Sequence, residues 1–381
     1  MTEKLYYKDS YIYEFEAKVL SCTSNNDLYD IVLDKTAFFP EGGGQYADKG
    51  FIDEAEIIDV QITDETIHHF SKSKIDTNKT VNCKIDKDYR YRNMQSHSGE
   101  HIFSGVIHSL FGLENISFHL GNDYITVDYN GVLTKEDILK AEKLSNEAIY
   151  ANLPINTYFP AAGELNDLEY RSKLDLKENV RIVEIPGIDR CACCAPHVKM
   201  TGEIGMIKII GTTLQNRHIR MKMLCGIDAL NYYNMLWDNV EGIAEALSTQ
   251  PEKILTVFEK TMKDFSDCRI KLNQASKKAA VAEAKAIDIS GENICYFADN
   301  ADIETLRLIV NTLSPKVSGI AIALSGADSS GYIFVAGSAS KDMREIAASL
   351  RRDLNAKGGG SNIMIQGNIP ADKEKIKNYF E

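Results

Sequence analysis

Two short segments of the chain carry residues whose types and spacing suit metal binding. His97 and His101 lie four residues apart, and Cys193 and His197 repeat that spacing much further along the chain. Residues four apart share one face of a helix, so each pair can direct two ligand atoms to one point. Three imidazoles and one thiolate suit a tetrahedral Zn²⁺, which favours mixed nitrogen and sulfur ligands. The sequence therefore predicts one zinc site that both segments build together.

Two further residues compete for a place in this site. Cys191 is an alternative ligand, although it breaks the four-residue spacing. His108 follows His101 by seven residues and lies on the same helix face, but three ligands from one straight helix span too much length for one tetrahedron. The alternative without a metal is a helix with packed histidines, together with reduced and buried thiols.

The composition is typical of a soluble globular protein, with 44% hydrophobic and 26% charged residues. A length of 381 residues predicts two or three domains. No apolar run approaches the roughly 20 residues that span a bilayer, and the N-terminus lacks the layout of a signal peptide. We therefore expect a cytoplasmic protein with no membrane partner. The net charge of −12 argues against broad nonspecific nucleic-acid binding, but it leaves room for a local basic surface.

The cysteines indicate metal ligands or inert thiols rather than a disulfide framework. The chain has eight cysteines, and three of them fall within residues 191–194. In a reducing compartment such a cluster is typical of metal binding.

The elements around these residues predict an α+β multidomain fold, which begins with a small β-barrel over residues 1–88. Apolar and polar residues alternate over 13–19, which is the period of a half-buried strand. Further strand-like runs cover 29–39, 51–62 and 81–85, and several short strands in succession favour a barrel.

A glycine-rich motif separates the second and third of these runs. Gly42, Gly43 and Gly44 follow one another and allow a ligand to approach the backbone closely, unless they only form a flexible hairpin turn. Gln45 comes directly after them and can present its amide to a polar ligand.

Residues 89–225 are predicted to form an α+β domain in which a helix and a loop hold one ion. The Cys193–His197 segment lies in a loop between two predicted strands. Gly112 is a suitable cap for the first helix, and Thr134 to Asp137 resembles a capping box that opens the second. The predicted elements are helices over 92–111 and from Thr134 to a point before Pro154, with strands over 124–129, 180–185, 204–210 and 217–223.

Two regions complete the chain. Residues 226–290 are strongly helical, with helices over 226–247 and 251–287, and we expect a long antiparallel helical hairpin that serves as an arm. Residues 291–381 are predicted to be a compact α/β domain. Its predicted elements are strands over 320–324, 332–336 and 362–366 and a helix over 342–355.

The end of that last helix combines cations with glycines. Arg351 and Arg352 lie in its final turn, Lys357 follows, and Gly358–Gly360 is predicted to be a loop. Cations before a glycine loop suit contact with a phosphate backbone. The alternative is a solvated helix face followed by a tight turn.

Together these motifs resemble the alanyl-tRNA editing proteins of the AlaX type, in their long form, over essentially the whole chain. The segment from Phe39 to Gly50 resembles the glycine-rich motif of that family's N-terminal domain. The two pairs of ligands resemble the paired zinc motifs of its editing domain. The helical arm and the segment Ala356–Gly360 are similar to the C-terminal DHH-associated domain of alanyl-tRNA synthetase.

The resemblance implies a free-standing hydrolase, an aminoacyl-tRNA deacylase, that neither activates amino acids nor needs ATP. It would remove serine or glycine from mischarged tRNA(Ala), with residues 89–225 as the zinc-binding editing domain. Serine is alanine with one added hydroxyl, and an apolar pocket rejects such an analogue by only about 10²-fold. A second site that offers the hydroxyl a partner reverses the preference, because an unpaired buried polar group costs about 1–3 kcal/mol.

The resemblance also implies roles for single residues. Gln45, Ser117 and His119 are the candidates for lining the substrate pocket. Because four protein ligands leave zinc no open position, we expect the ion to orient the substrate rather than to hold a hydroxide. The C-terminal domain and the arm would grip the tRNA, and either of them could also form a homodimer. The candidate tRNA contacts are Arg217, Arg220 and Lys222 beside the zinc site, and Arg351, Arg352, Lys357, Gly358, Gly359 and Gly360.

Two other functions remain open on the sequence. One is a zinc-dependent hydrolase of small amides or esters, whose C-terminal half serves for dimerisation. The other is a non-catalytic RNA-binding module that zinc stabilises, since structural zinc contributes about 10–16 kcal/mol of apparent folding free energy in small peptides.

Overall fold

The computed structural model describes residues 1–161, 163–172, 180–289 and 291–380. The chain divides into two compact units, Met1–Glu241 and Gly242–Glu381. Helices and sheets occur in both, which confirms the mixed α+β class. The finer division at residues 88, 225 and 290 stays a prediction.

The first unit begins with a closed barrel of six antiparallel strands. The ring runs in the order β2, β3, β7, β6, β5, β8, and β8 pairs with β2 to close it. Alternate residues such as Val19, Ile31 and Val60 fill the interior, as the period of a strand requires. The strands of this region are β1 (Glu3–Lys4), β2 (Glu14–Asn25), β3 (Leu28–Leu33), β4 (Lys35–Thr36), β5 (Gly50–Ile52), β6 (Ala55–Thr63), β7 (Thr66–Ser71) and β8 (Thr80–Ile85).

The remainder of the first unit contains a four-stranded sheet, a three-stranded sheet, two helices and the start of a third helix that continues past Glu241. The four-stranded sheet has the order β14, β15, β10, β9, and the other has the order β11, β12, β13. The elements are α1 (Lys87–Phe111), β9 (Asn115–Leu120), β10 (Ile125–Tyr129), α2 (Lys135–Tyr150), β11 (Asn156–Tyr158), β12 (Ile182–Ile185), β13 (Asp189–Ala192), β14 (Ile207–Gln215), β15 (His218–Cys225) and α3 (Gly226–Ala246).

Local signals fix the ends of the two helices in this region. Helix α1 begins five residues before its predicted start, because the Asp86 side chain accepts a hydrogen bond from the backbone N–H of Tyr89. It ends at Gly112, whose φ of 66° makes the left-handed cap that the sequence predicts. The capping box of Thr134 and Asp137 at the start of α2 is also confirmed.

The second unit contains a five-stranded sheet with helices packed against it. The strand order is β16, β17, β18, β20, β19. The predicted helices over 226–247 and 251–287 are confirmed as α3 and α4, while their packing as an antiparallel hairpin stays a prediction. The elements are α4 (Ile254–Ala286), β16 (Ile294–Phe297), α5 (Ile303–Leu313), β17 (Ala321–Ala327), β18 (Gly331–Gly337), α6 (Met343–Leu354), β19 (Lys357–Gly360), β20 (Met364–Ile369) and α7 (Lys373–Phe380).

The predicted loop of three glycines is wrong. Gly358, Gly359 and Gly360 belong to β19, an edge strand that pairs antiparallel with β20. A Cβ atom at Gly358 would lie 2.2 Å from the carbonyl oxygen of Gln366, so the two backbones approach too closely for a side chain. Glycines show no alternation of apolar and polar side chains, and the strand therefore left no pattern in the sequence.

None of the helices in the described ranges is both long enough and apolar enough to cross a bilayer.

Candidate metal centre

Helix α1 and the loop after β13 bring the four predicted ligands together. The rings of His97 and His101 lie 5.4 Å apart on one face of α1. Their Nε2 or Nδ1 atoms, the corresponding atom of His197 and the Sγ of Cys193 all lie within 4.8 Å of one another. The Cys193 Sγ is 3.6 Å from His97 Nε2 and 3.4 Å from His197 Nε2. The structure thus brings the two segments, His97–His101 and Cys193–His197, together as the sequence predicts.

Each of the three imidazoles uses its outer nitrogen for a hydrogen bond to a neighbouring side chain. An outer Nδ1 held in this way leaves the Nε2 lone pair for a metal and fixes the orientation of the ring. The contacts are His97 Nδ1 to Gln45 Oε1 at 2.9 Å, His101 Nδ1 to Asp189 Oδ2 at 3.0 Å, and His197 Nδ1 to Ser98 Oγ at 2.9 Å.

Asp189 is itself held by a cation. Arg171 donates from Nε to Asp189 Oδ1 at 2.8 Å and from Nη2 to Oδ2 at 3.0 Å. Burial alone would raise the pKa of Asp189, but the hydrogen bonds from His101 and Arg171 outweigh burial and lower that pKa. A carboxylate therefore stands behind His101, which increases the basicity of this imidazole as a ligand.

The pKa shifts of Cys193 and His197 favour the deprotonated forms that bind a metal, whereas the shift of His101 favours its protonated form, which must lose a proton to bind one. Burial by itself would raise the pKa of Cys193, but His97 and His197 reverse the effect and lower it well below its usual value. Burial lowers the pKa of His197 to about 3, against the opposing effect of Cys193. Burial also opposes protonation of His101, yet its hydrogen bonds to Asp189 and Cys193 raise its pKa. A thiolate beside buried imidazoles is the donor set that zinc prefers.

The two competing ligands have other partners. Cys191 shares a second group with His101 and Asp189, in which Asp189 is already bound to Arg171. Burial raises the pKa of Cys191 to about 11, so this thiol is a poorer ligand than Cys193. His108 lies outside the cluster, and its Nδ1 is 2.7 Å from Glu114 at the surface.

A buried ion pair fixes α1 against the glycine-rich motif. Arg90 is 0% exposed and donates from Nε to Asp48 Oδ1 at 2.8 Å. Its Nη2 donates to the carbonyl oxygen of Ala37 at 2.6 Å, and its Nη1 donates to that of Ser10 at 3.0 Å. Each nitrogen of the guanidinium group thereby has a hydrogen-bond acceptor, and the charge has a carboxylate partner, as a buried cation requires.

The glycine-rich motif is a tight turn that places Gln45 behind His97. Gly44 has a φ of +83°, and a Cβ atom there would lie 2.5 Å from the carbonyl oxygen of Phe118. The carbonyl oxygen of Gly44 accepts a hydrogen bond from Leu120 N at 2.8 Å, which ties the turn to β9. Glycine is needed here both for the left-handed backbone and for the close approach.

The cluster opens onto a cavity of about 760 Å³, a volume within the range of ligand sites. His97, His101 and Cys193 line it, together with the aromatic ring of Phe118, which lies 4.8 Å from that of His97. Arg181 also lines the cavity and donates to the carbonyl oxygens of Cys193 and Ala195, so it holds the ligand loop in place. Further walls come from Tyr7, Gly43, Glu100, Asn115, Ile116 and Phe159.

The predicted pocket residues take different positions. Gln45 is buried and contacts His97 rather than the cavity. Ser117 and His119 are exposed, and neither is among the described residues that line the cavity. The Nε2 of His119 lies 3.0 Å from the hydroxyl of Tyr46. In β9 the cavity receives Ile116 and Phe118, and because side chains alternate along a strand, Ser117 and His119 point the other way. Gly43 is the member of the glycine motif that lines the cavity.

Several of the predicted tRNA-binding cations already have partners. Arg220 forms an ion pair with Asp128 at 2.7 Å, and Arg352 forms one with Asp353 at 2.7 Å. Lys222 Nζ lies 4.3 Å from the centre of the Tyr124 ring. Arg351 Nη2 donates to the carbonyl oxygen of Gly358 at 3.2 Å, whereas Arg217 and Lys357 are exposed.

Sequence reasoning did not single out the outer partners Asp189, Ser98 and Arg171, nor Asn115 in the cavity wall. Ser98 lies within the His97–His101 motif, so the motif itself was the available signal. The others contact the site only through the tertiary fold and leave no spacing to detect.

Two parts of the chain match families of aminoacyl-tRNA synthetase domains. Residues 180–223 match the threonyl and alanyl tRNA synthetase second additional domain, and residues 2–89 match the class II (A) tRNA synthetases. These two segments are therefore similar to aminoacyl-tRNA synthetase domains, and Cys193 and His197 lie within the segment that matches the additional domain.

The similarity to alanyl-tRNA editing proteins extends over nearly the whole chain. The alanyl-tRNA editing protein AlaX-L of Pyrococcus horikoshii is 26% identical over 99% of this chain and 96% of its own length. The alanyl-tRNA editing protein Aarsd1-A of Xenopus laevis is 26% identical over 87% of this chain and 85% of its own length. The resemblance predicted from the sequence is confirmed: this chain is related to the AlaX-type alanyl-tRNA editing proteins.

The alanine–tRNA ligases to which this chain is also similar are longer than the chain. The alanine–tRNA ligase of Ignicoccus hospitalis is 29% identical over 94% of this chain, and the chain covers 40% of that ligase.

Proposed function

We propose that this chain is a metal-dependent hydrolase that removes serine or glycine from mischarged tRNA(Ala) in trans. The observation that carries the proposal is the group of three imidazoles and one thiolate at the wall of a cavity of about 760 Å³. The similarity to alanyl-tRNA editing proteins, over 99% of the chain in one case and 87% in another, supports the same substrate class.

The proposed metal is zinc, held by His97, His101, Cys193 and His197. The outward hydrogen bonds of the three rings and the lowered pKa of Cys193 fit such an ion. When bound, zinc would supply a positive charge that polarises and orients the substrate's polar groups. The chain's own residues keep the ligands in place, since Gln45, Asp189 and Ser98 restrain the three rings.

The proposed reaction is hydrolysis of the ester between the amino acid and the terminal ribose of the tRNA. The oxygen of a water molecule adds to the ester carbonyl carbon, and the bond from that carbon to the ribose oxygen breaks. The products are a free amino acid and a tRNA with its ribose hydroxyl restored, so no nucleotide is consumed. Phe118 and Ile116 supply apolar walls beside the ligands, which limit the access of further water.

The proposed tRNA contacts are the exposed cation Arg217 in the first unit and, separately in the second unit, the exposed cation Lys357 and the edge strand β19. Contact with phosphates by such residues contributes affinity without sequence information. A homodimer formed through α3, α4 or the C-terminal region, and a cytoplasmic location, remain predictions from the sequence.

The first experiment compares seryl-tRNA(Ala) with the ethyl ester of free serine as substrates for the full chain. We expect turnover of the tRNA to exceed that of the small ester by orders of magnitude, because tRNA contacts position the ester. Equal turnover would instead favour a small-molecule esterase.

The second experiment separates catalysis from a purely structural metal site. Gln45→Ala leaves all four ligands in place but frees the His97 ring, so we expect slower deacylation with a folded protein that still binds metal. If the wild type binds tRNA but does not deacylate it, the result favours the non-catalytic RNA-binding module instead.

A further inference from the structure

One corner of the cavity contains a carboxylate that the proposed metal site does not use. Glu100 lies on α1 next to His101, is 5% exposed and lines the cavity. Ser104 Oγ donates to its Oε1 at 2.5 Å, and the amide Nδ2 of Asn115 donates to the same oxygen. Among the described residues both of these hydrogen bonds end on Oε1, so Oε2 is the oxygen left for another donor.

Asn115 adds a second acceptor at this corner. It is 8% exposed, lines the same cavity, and its Oδ1 is buried without a hydrogen-bond partner in the described part of the chain. The orientation of the amide is fixed, because its Nδ2 group must face the carboxylate of Glu100. A buried acceptor without a donor is costly unless a ligand or water supplies one.

The hydroxyl groups of Ser104 and Tyr129 beside Glu100 have no hydrogen left to donate into the cavity. Ser104 Oγ gives its hydrogen to Glu100 and lies 2.8 Å from the hydroxyl of Tyr129. Among the described residues, this corner therefore presents the acceptors Glu100 Oε2 and Asn115 Oδ1, and a ligand that fits it must bring donors of its own.

The charges around Glu100 also favour a ligand that carries hydrogen-bond donors and a positive charge. None of the ion pairs found within the described ranges includes Glu100, although its carboxylate is almost fully buried. The two nearby arginines of the cavity wall have other partners: Arg171 binds Asp189, and Arg181 binds backbone carbonyl oxygens. A buried carboxylate is stabilised by a cation, and here the cavity is the open route by which one can arrive.

We propose that Glu100 and Asn115 form a binding subsite for the α-ammonium group of the aminoacyl ester. An ammonium group carries three N–H donors and a positive charge, which match the free Glu100 oxygen and Asn115 Oδ1. This inference rests on the proposed function and adds to it, because a bound ammonium group fixes where the ester carbonyl lies beside the metal ligands. Seryl, glycyl and alanyl esters all carry this group, so the subsite selects a free amino group and not a particular side chain.

The test compares seryl-tRNA(Ala) with N-acetyl-seryl-tRNA(Ala), in which the amine is acylated and neutral. The wild type should cleave the free-amine substrate at least about 100-fold more efficiently, as a buried charge pair left without its partner implies. Glu100→Gln keeps the size of the side chain but loses its charge, and the preference should fall at least about tenfold, mainly through KM. Glu114→Gln is the matched control, because Glu114 borders the same cavity but pairs with His108 at the surface.

Two measurements keep a structural effect apart from a loss of binding. Metal content and the thermal midpoint of Glu100→Gln should equal those of the wild type. In addition, serinamide should inhibit the unmodified wild type, while N-acetylserinamide should not.

The outcomes separate this inference from the proposed function. An unchanged preference in Glu100→Gln, or equal inhibition by the two amides, overturns the subsite and leaves the deacylase standing. A wild type that cleaves neither tRNA overturns the deacylase, and calorimetric binding of serinamide then still decides whether the ammonium subsite exists.

Discussion

Helices α1 and α4 are both long, yet they differ in how many of their residues are buried and in how many of the buried residues are polar. Helix α1 has 25 residues, of which sixteen are buried, and many of these are polar. Helix α4 has 33 residues, and Ala284 is its one buried residue in the described structure. The apolar residues Phe258, Met262 and Phe265 of α4 are half or more exposed.

The comparison shows that amphipathic pattern and burial are separate properties. An apolar stripe at helical spacing normally predicts a buried face, and α4 has the stripe without the burial. Helix α1 buries His97, Ser98, Glu100, His101 and Ser104, and each of these side chains forms at least one hydrogen bond with a side chain outside the helix. Burying polar groups is unfavourable unless they are paired, so such a helix marks a functional site better than an apolar stripe does.

Removing one metal ligand should have the largest effect. Cys193→Ala deletes the thiolate, and we expect metal binding to be lost and deacylation to fall by more than about 100-fold, since outer partners alone are worth 10–100-fold. Mass spectrometric metal analysis and the rate on seryl-tRNA(Ala) measure both. Cys268→Ala on the exposed surface of α4 is the control and should change neither. Full metal content in Cys193→Ala would contradict the ligand assignment.

The next largest effect is expected in the free energy of unfolding, and two phenylalanines allow the comparison of the helices. Phe103 of α1 is 0% exposed and Phe265 of α4 is 64% exposed. Phe103→Ala should lower the free energy of unfolding by about 3–5 kcal/mol, because it leaves a cavity in the core. Phe265→Ala should change it by less than about 0.5 kcal/mol. Equilibrium unfolding in urea measures both, and similar losses would show that α4 is buried against a partner in solution.

The outer partner of His101 should have a smaller effect than a ligand. Asp189→Asn removes the charge behind the imidazole and leaves Arg171 without its ion pair, so we expect metal affinity to fall about 10–100-fold. Competition with a chromogenic chelator measures this affinity. Asp353→Asn, which alters an ion pair at the surface, should leave it unchanged. An unaltered metal affinity in Asp189→Asn would show that Asp189 does not contribute to metal binding.

The smallest effect concerns the predicted tRNA surface. Replacing Arg351 and Lys357 with alanine should reduce the slope of log affinity against log salt by about 0.7–0.9 for each phosphate that the variant no longer neutralises. Filter binding of tRNA between low and moderate salt measures the slope. Lys72→Ala, directly after β7 of the barrel, is the control, because this exposed lysine lies outside the regions predicted to bind tRNA. A slope that stays the same in the double variant would remove both residues from the surface.

The extent of prediction from sequence follows from how local each signal is. The four ligands were predictable because the four-residue spacing of each pair is visible in the chain, and so were the caps of α1 at Gly112 and of α2 at Thr134. Strands β7 and β9 were not predicted.

The outer partners could not be predicted in this way. Asp189 meets His101 only because β13 pairs with β12 and runs beside α1, and Asn115 reaches Glu100 through an irregularity in the pairing of β9 with β10. Such contacts depend on tertiary packing that no spacing reveals. The predicted loop at Gly358–Gly360 failed for a different reason. Here a local signal was present in the three glycines, but pairing with β20 made the segment a strand.

The most direct test of the proposed metal-dependent editing site is deacylation of seryl-, glycyl- and alanyl-tRNA(Ala) by the full chain, with and without a chelator. We expect the seryl or glycyl ester to be cleaved, the alanyl ester to be spared, and the chelator to abolish cleavage until zinc is restored. Cleavage that continues unchanged in fully chelated protein, or that removes alanine as fast as serine and glycine, would contradict this account.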